Sequence, residues 1–366
     1  MILRDYQSES STFLQARTRG MVVAPAGSGK TIIGAHALSK VLRPGMKVTW
    51  IANTREQVEQ AGAAISRMPG PENVDINICC AASNPDVADS NVIVFDECHH
   101  VPAASWLVAA ERARNIVWGL TATPWHDDEE RNGVVRKVFR EFHTIERERV
   151  LASGHLVEGK VWMHDLDQPG QFDQEIDEQT LLETTRRCRA FPMIQRFEHE
   201  RRVRWQITQE FVQKNEKRNH AIVALLNAES AAGQSSLALV FSIEHGETLA
   251  ARIPAAGIVH SKLRIKERRR LIEAFRDGSL GVLFATSLAD EGLDVPRASR
   301  LVLAAGGRSA GKLEQRAGRI LRPFEGKARG VVHDFLDRGA TFALAQARAR
   351  MRVYENLGYD PDIVSA

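Results

Sequence analysis

The sequence predicts an α/β protein with two tandem parallel sheets flanked by helices and a helical linker or insertion between them. Three observations predict it. Short apolar runs alternate with amphipathic stretches from the N-terminus to about residue 157. The alternation restarts near 233 and continues towards 366. Between the two, 158–232 is polar and helix-prone. Strands that alternate with helices need crossover connections, hence parallel sheets. The expected domains are 1–157 and 233–366, with 158–232 as linker and insertion.

The chain's 366 residues suffice for two ordinary domains, and 43% hydrophobic with 26% charged residues is a soluble, globular balance. A formal net charge of +3 permits a nucleic-acid partner without demanding one. Cys79, Cys80, Cys98 and Cys188 form no CxxC pair, which supports neither a zinc ribbon nor a disulfide framework and suits a reducing compartment. No apolar run is long enough for a bilayer, and the N-terminus lacks a signal-peptide core. The expected address is cytoplasmic, in a bacterium or a phage-infected host.

Leu3-Arg4-Asp5-Tyr6-Gln7 opens a helix running to about Arg17. The Gln7 amide can offer donor and acceptor together to an adenine edge, so Arg4 and Gln7 are candidate nucleotide contacts. Met21-Val22-Val23 then reads as a strand, Ala24-Pro25-Ala26-Gly27-Ser28-Gly29-Lys30-Thr31 as a glycine-rich turn, and Ile32 onward as a helix. A P-loop needs this order, because backbone N–H groups and the helix N-terminus must point at phosphate. Ala26, Gly27, Ser28 and Gly29 would wrap the phosphates of ATP. Lys30 would reach the β- and γ-phosphates, and the Thr31 hydroxyl would bind Mg²⁺.

Lys47 to Ala52 is a buried strand leading to Asn53-Thr54-Arg55. Ligands sit at the carboxyl ends of parallel strands, so Thr54 and Arg55 suit a nucleic-acid phosphate. Thr54 equally suits a helix N-cap. Val74 to Cys80 is the next strand, with Ser83 just beyond it as a further candidate contact. Asn91 to Phe95 ends in Asp96-Glu97, where a Walker B pair belongs. Asp96 would hold Mg²⁺, and Glu97 would orient and deprotonate the attacking water. A metal site from Cys98, His99 and His100 is disfavoured, since adjacent side chains at a strand end point apart. Ile116 to Leu120 ends in Thr121-Ala122-Thr123-Pro124. Thr121 and Thr123, with His99, are candidates for coupling the phosphate state to a nucleic-acid site.

With Asp96-Glu97-Cys98-His99 as a DExH box and Thr121-Ala122-Thr123-Pro124 as a third motif, the sequence resembles the superfamily 2 helicases. Gly119-Leu120 before that motif and Trp125-His126-Asp127 after it resemble the XPB-like and UvsW-like DNA translocases more than DEAD-box RNA helicases. The resemblance implies two tandem RecA-like domains, ATP and Mg²⁺ in the cleft, and DNA across both. It also implies that a helical insertion in the middle of the chain grips duplex DNA, while composition alone reads that stretch as a solvated helical linker.

In the second half, Ser236 to Ser242 is a buried strand, and Gly257 to Ser261 is a second strand with polar residues at its end. The basic run Lys262 to Arg270 reads as a solvated helix face. Gly281 to Thr286 is the next strand, and the stretch it delivers, Ser287 to Pro296, resembles the fifth helicase motif. Ser242, His260 and Thr286 are candidate nucleic-acid contacts, while Gly292 and Asp294 would face the nucleotide. Gln315-Arg316-Ala317-Gly318-Arg319-Ile320-Leu321-Arg322-Pro323 matches the sixth motif. Gln315, Arg319 and Arg322 join Lys30, Asp96 and Glu97 as catalytic candidates, the two arginines sharing one helix face as fingers on the phosphoryl group. The tail from Ala340 is read as a helix packed on the second domain. The expected activity is an ATP-dependent DNA helicase or translocase acting as a monomer, with replication or repair partners. An RNA helicase and an ATP-switched clamp remain open alternatives.

Overall fold

The computed structural model describes residues 3–125, 128–187, 193–286, 293, 295–305 and 310–365. The chain divides into two compact units, Met1–Leu156 and Val157–Ala366.

Unit 1 opens with α1 (Asp5–Gln15), β1 (Arg19–Val23), α2 (Lys30–Val41), β2 (Lys47–Ala52), α3 (Arg55–Ile65) and β3 (Asp75–Cys80). It continues through β4 (Val92–Asp96), α4 (Ala104–Arg112), β5 (Ile116–Thr121), α5 (Glu129–Val138), β6 (Glu141–Thr144) and α6 (Arg147–Ala152). The six strands run parallel in the order β3-β2-β4-β5-β1-β6. Every residue of β4 is buried, the signature of a strand covered by helices on both faces. Phe95, Cys98, Trp106, Val117 and Phe139 form one apolar cluster on one of these faces. All six carboxyl ends share one edge, so the loops after β1, β4 and β5 meet there.

Unit 2 begins with β7 (Glu158–Asp165), α7 (Asp173–Arg187), α8 (Met193–Lys214), α9 (Glu216–Ala231), β8 (Ser236–Val240), α10 (Ile243–Ala250) and β9 (Ala256–Val259). Then come α11 (Ile265–Asp277), β10 (Val282–Thr286), β11 (Arg300–Leu303), α12 (Ala310–Ile320), β12 (Arg329–Leu336), α13 (Thr341–Asn356) and β13 (Pro361–Ser365). Its seven strands are parallel in the order β13-β7-β12-β11-β8-β10-β9.

The stretch 158–232 differs from a linker. Its first residues form β7, paired along its whole length with β12, because Val161 and Met163 bury themselves in that sheet. Its helices α7 and α8 pack Ile176, Val203, Ile207 and Val212 against Ala340 and Ala343 at the start of α13. Most of the polar middle of the chain is therefore built onto unit 2. The tail helix is present as α13, but it is followed by an edge strand, β13, beside β7.

Unit 2 also buries a polar network. Asp334 is fully buried and accepts from Arg350 Nε at 2.7 Å, Arg350 Nη2 at 2.8 Å and the Tyr354 hydroxyl at 3.1 Å. Arg218, also buried, donates to Asp337 at 2.6 Å. His164 Nε2 meets His333 Nδ1 at 2.9 Å, and His245 Nε2 meets Asn219 Oδ1 at 3.0 Å. Burial, then the neighbouring His333, lowers His164 to about 4; burial, then the Arg218 charge, lowers His245 to about 3. Each ring is held neutral in the fold, whereas the unfolded ring titrates near 6.5. Between those values only the unfolded chain takes up the proton, so this contribution is intact above pH 6.5 and is lost as pH falls. Thermal melts should show the unit 2 transition dropping from pH 7 to pH 5, by roughly 1–2 kcal/mol per histidine. His164→Gln and His245→Gln should each flatten that drop; an unchanged pH slope in both would contradict the account.

Candidate functional site

The P-loop turns between β1 and α2. Its entry is tied to the end of β5 by Ala24 N donating to Thr121 O at 2.9 Å. Gly27 and Gly29 adopt φ of 87° and 86°, the left-handed region in which a Cβ is penalised. The Ser28 carbonyl between them accepts from the Tyr6 hydroxyl at 3.1 Å and from Gln7 Nε2 at 2.9 Å. Gln7 Oε1 accepts from Arg4 N at 3.2 Å, and Arg4 Nη1 donates to the Tyr6 hydroxyl at 3.1 Å. Gln7 is only 3% exposed. Its amide is thus engaged at both ends with the chain, where the sequence suggested an adenine edge. Arg4 acts as the N-cap residue of α1. Tyr6 was not among the expected contacts; its adjacency to Gln7 is the one available signal.

Lys30 Nζ donates to Ala24 O at 3.2 Å, and Thr31 Oγ1 donates to Asp96 Oδ2 at 3.5 Å. Asp96 and Glu97 are both buried at the end of β4. Burial, then the adjacent Glu97 charge, raises Asp96 to about 7, with Lys30 opposing the rise. Glu97 is a non-glycine residue at φ 59°, a strained conformation set at the point where the strand must turn. Its Oε2 is buried without a hydrogen bond, and His99 Nδ1 lies 3.5 Å from it. His99 Nδ1 also lies 3.0 Å from Thr121 Oγ1, which accepts from Thr123 N at 3.2 Å. A contiguous path therefore leads from Glu97 into the Thr121–Pro124 loop.

Two buried carboxylates beside one ammonium leave negative charge uncompensated. The Thr31–Asp96 oxygen pair and the orphaned Glu97 oxygen fit a hard divalent cation and a water, since Mg²⁺ takes few protein ligands and all of them oxygen. The competing Cys98–His100 metal site finds no support: no group of metal-binding side chains occurs among the described residues, and the Cys98 thiol is pushed up by burial in the apolar cluster.

The expected nucleic-acid contacts line carboxyl edges. Thr54 caps α3, its Oγ1 accepting from Gln57 N at 3.3 Å while Gln57 Oε1 accepts from Thr54 N at 3.1 Å. Arg55, the first residue of α3, is exposed. Ser83 Oγ is exposed and donates to Cys80 O at 2.7 Å. These three follow the neighbouring strands β2 and β3, apart from the P-loop strand β1. In unit 2, Ser242, Thr286 and His260 stand at the ends of the neighbouring strands β8, β10 and β9. Ser242 caps α10 and donates to Gln213 Oε1 at 2.7 Å.

Gln315 and Arg319 lie on α12, where Arg319 Nη1 donates to Leu293 O at 2.5 Å. Arg322 does not share that helix face. The helix ends at Ile320, and Arg322 precedes Pro323, whose ring disfavours helical backbone in the residue before it. Lys327, which carries no sequence motif, donates to Arg322 O at 2.9 Å and Pro296 O at 3.0 Å. Burial, then Arg322 and Arg300, lowers it to about 7. Gly292 and Asp294 lie outside the described residues.

Residues 1–84 and 80–126 match the family of the type III restriction enzyme res subunit, and residues 205–323 match the helicase conserved C-terminal domain. A DNA 3'-5' helicase XPB of Kineococcus radiotolerans is 24% identical over 350 residues, covering 88% of this chain and 57% of its own. These matches support the reading of the chain as an XPB-like superfamily 2 helicase. A protein named as a helicase in Sulfolobus islandicus filamentous virus is 25% identical over 376 residues, covering 92% of this chain and 64% of its own. The chain thus spans less than two thirds of either relative. The Pyrococcus furiosus Hef helicase domain superposes with a TM-score of 0.56 at 17% identity, covering 97% of this chain and 98% of that one. The fold is that of tandem RecA-like helicase domains. Among the described residues no helix is long and apolar enough to cross a membrane.

An added Cβ on Gly29 would lie 2.6 Å from Gln7 Nε2 on a backbone already at φ +86°. Gly29→Ala should therefore weaken binding of a fluorescent ATP analogue by about tenfold or more, with far-UV circular dichroism unchanged. Wild-type affinity in that variant would show that the Ser28 clamp does not shape the loop.

Proposed function

We propose that the chain is a DNA-dependent ATPase of the helicase or translocase type, coupling ATP hydrolysis to movement along DNA or its remodelling. The observation that carries this reading is the meeting at one sheet edge of Lys30, the Thr31–Asp96 oxygen pair and an orphaned Glu97 carboxylate joined through His99 to Thr121. Lys30 would exchange the Ala24 carbonyl for the β- and γ-phosphates. Thr31 and Asp96 would hold Mg²⁺, directly or through water. Held there, the cation would supply positive charge against the phosphate oxygens. Glu97 would orient a water and accept its proton as the water oxygen bonds to the γ-phosphorus and the bond to the β-phosphate oxygen breaks. ADP and inorganic phosphate are the products.

Arg319 and Arg322 take the finger role by the motif they occupy. His99, Thr121 and Thr123 would relay the state of the phosphate to the loop that follows. Thr54, Arg55, Ser83, Ser242, His260 and Thr286 would hold the DNA backbone from the carboxyl edges of the two sheets. DNA is favoured over RNA because the XPB relatives are named for DNA.

ATP turnover, measured at one salt concentration with single-stranded, duplex and forked DNA and with RNA, tests the reading. DNA should raise turnover more than RNA does; a rate indifferent to every nucleic acid would overturn it. Lys30→Ala should abolish turnover. Glu97→Gln should keep nucleotide affinity and lower turnover by about 10²-fold or more. Arg319→Ala should likewise spare binding, and an equal loss of binding and turnover there would reject the finger role.

A further inference from the structure

Helix α8 meets the segment that follows β8 through Trp205 and Gln213. Residues 201, 205, 209 and 213 recur every four positions and so follow one side of the helix. At one end of this row, Gln213 Oε1 accepts from Ser242 and Gln213 Nε2 donates to Gln209 O at 3.1 Å. One to two turns away, Trp205 packs edge-to-face on Phe241, with ring centroids 5.1 Å apart and planes at 61°. Phe241 and Ser242 directly follow β8, at the carboxyl edge that also carries Thr286 and His260.

Trp205 has no part in the core between α7, α8 and α13, which is made by Val203, Ile207 and Val212 with Ile176, Ala340 and Ala343. Trp205 and Phe241 are both half-buried, and Arg201 and Arg202, one turn back on α8, are exposed. Neither arginine has an ion-pair partner among the described residues. A half-open indole flanked by uncompensated guanidinium groups is the chemistry that stacks an unpaired base and neutralises its phosphate.

We infer that Trp205, braced by Phe241, is a base-stacking post for single-stranded nucleic acid, with Arg201 and Arg202 on the adjacent phosphates. The post rests on the DNA-dependent reading above and adds to it a contact with the bases, whereas Ser242, His260 and Thr286 are suited to the backbone. Gln213 ties the post to Ser242, so base and phosphate contacts are held as one rigid piece.

The test compares an oligo-dT strand with an abasic strand of the same length, by fluorescence anisotropy at one salt concentration, using the full chain. Wild type should favour the base-bearing strand by about tenfold. Trp205→Ala should bring that preference close to unity. Trp205→Phe, which keeps a ring against Phe241, should retain most of it and reports the effect should the alanine variant fail to fold. Arg201→Gln with Arg202→Gln should weaken both strands alike and leave their ratio unchanged. A wild-type preference persisting in Trp205→Ala overturns the stacking post and leaves the DNA reading intact. A wild-type chain that binds neither strand overturns both.

Discussion

The Ser28 carbonyl is the point on which the nucleotide site depends. Two left-handed glycines flank it, and that geometry turns the carbonyl inward, away from any ladder partner. A buried carbonyl needs a donor, and leaving one unmade costs more than making the bond returns. The chain meets the need with two side chains from α1, Tyr6 and Gln7. Helix α1 is in turn fixed to α2 by Ser11 Oγ and His36 Nδ1, 2.8 Å apart. The loop that must cradle phosphate is thus held from outside by the helix that precedes it, which explains why Gln7 is buried.

The second constraint is charge. Asp96 and Glu97 are adjacent, buried and of like sign, so one of them is driven towards its neutral form when only Lys30 is close. A divalent cation held by Thr31 and Asp96 would favour the charged form of Asp96. The Glu97 oxygen that is buried without a hydrogen bond lies beside this pair.

The legible parts of the sequence were those where chemistry leaves little freedom of residue type. Gly27, Gly29, Lys30, Thr31 and the Asp96–Glu97 pair stood in a strand–turn–helix context that periodicity alone located. The alternation of strands and helices was equally legible, because strands buried on both faces must be apolar throughout. Strand β7 was less so: its burial alternates, and a polar helical stretch follows it immediately, so the local pattern resembled a linker. Strand β13 is an edge strand with exposed residues and therefore carries little apolar signal. The clamps made by Tyr6, Gln213 and Lys327 join side chains to distant carbonyls or hydroxyls, which no local spacing encodes.

Three basic side chains share a logic. Lys30 donates to Ala24 O, Arg319 donates to Leu293 O, and Lys327 donates to Pro296 O and Arg322 O. In each case a cation, or a lysine poised to be one, rests on a neutral carbonyl. A phosphate oxygen is a charged acceptor, and charge-assisted bonds are about twice as strong as neutral ones. On the proposed function, exchanging a carbonyl for phosphate would be favourable for Lys30 and Arg319, and the carbonyl would hold each group in place until then. Lys327 differs, because both its acceptors are backbone groups of the loops bearing the fifth and sixth motifs. It ties the segment at Pro296 to the segment at Arg322.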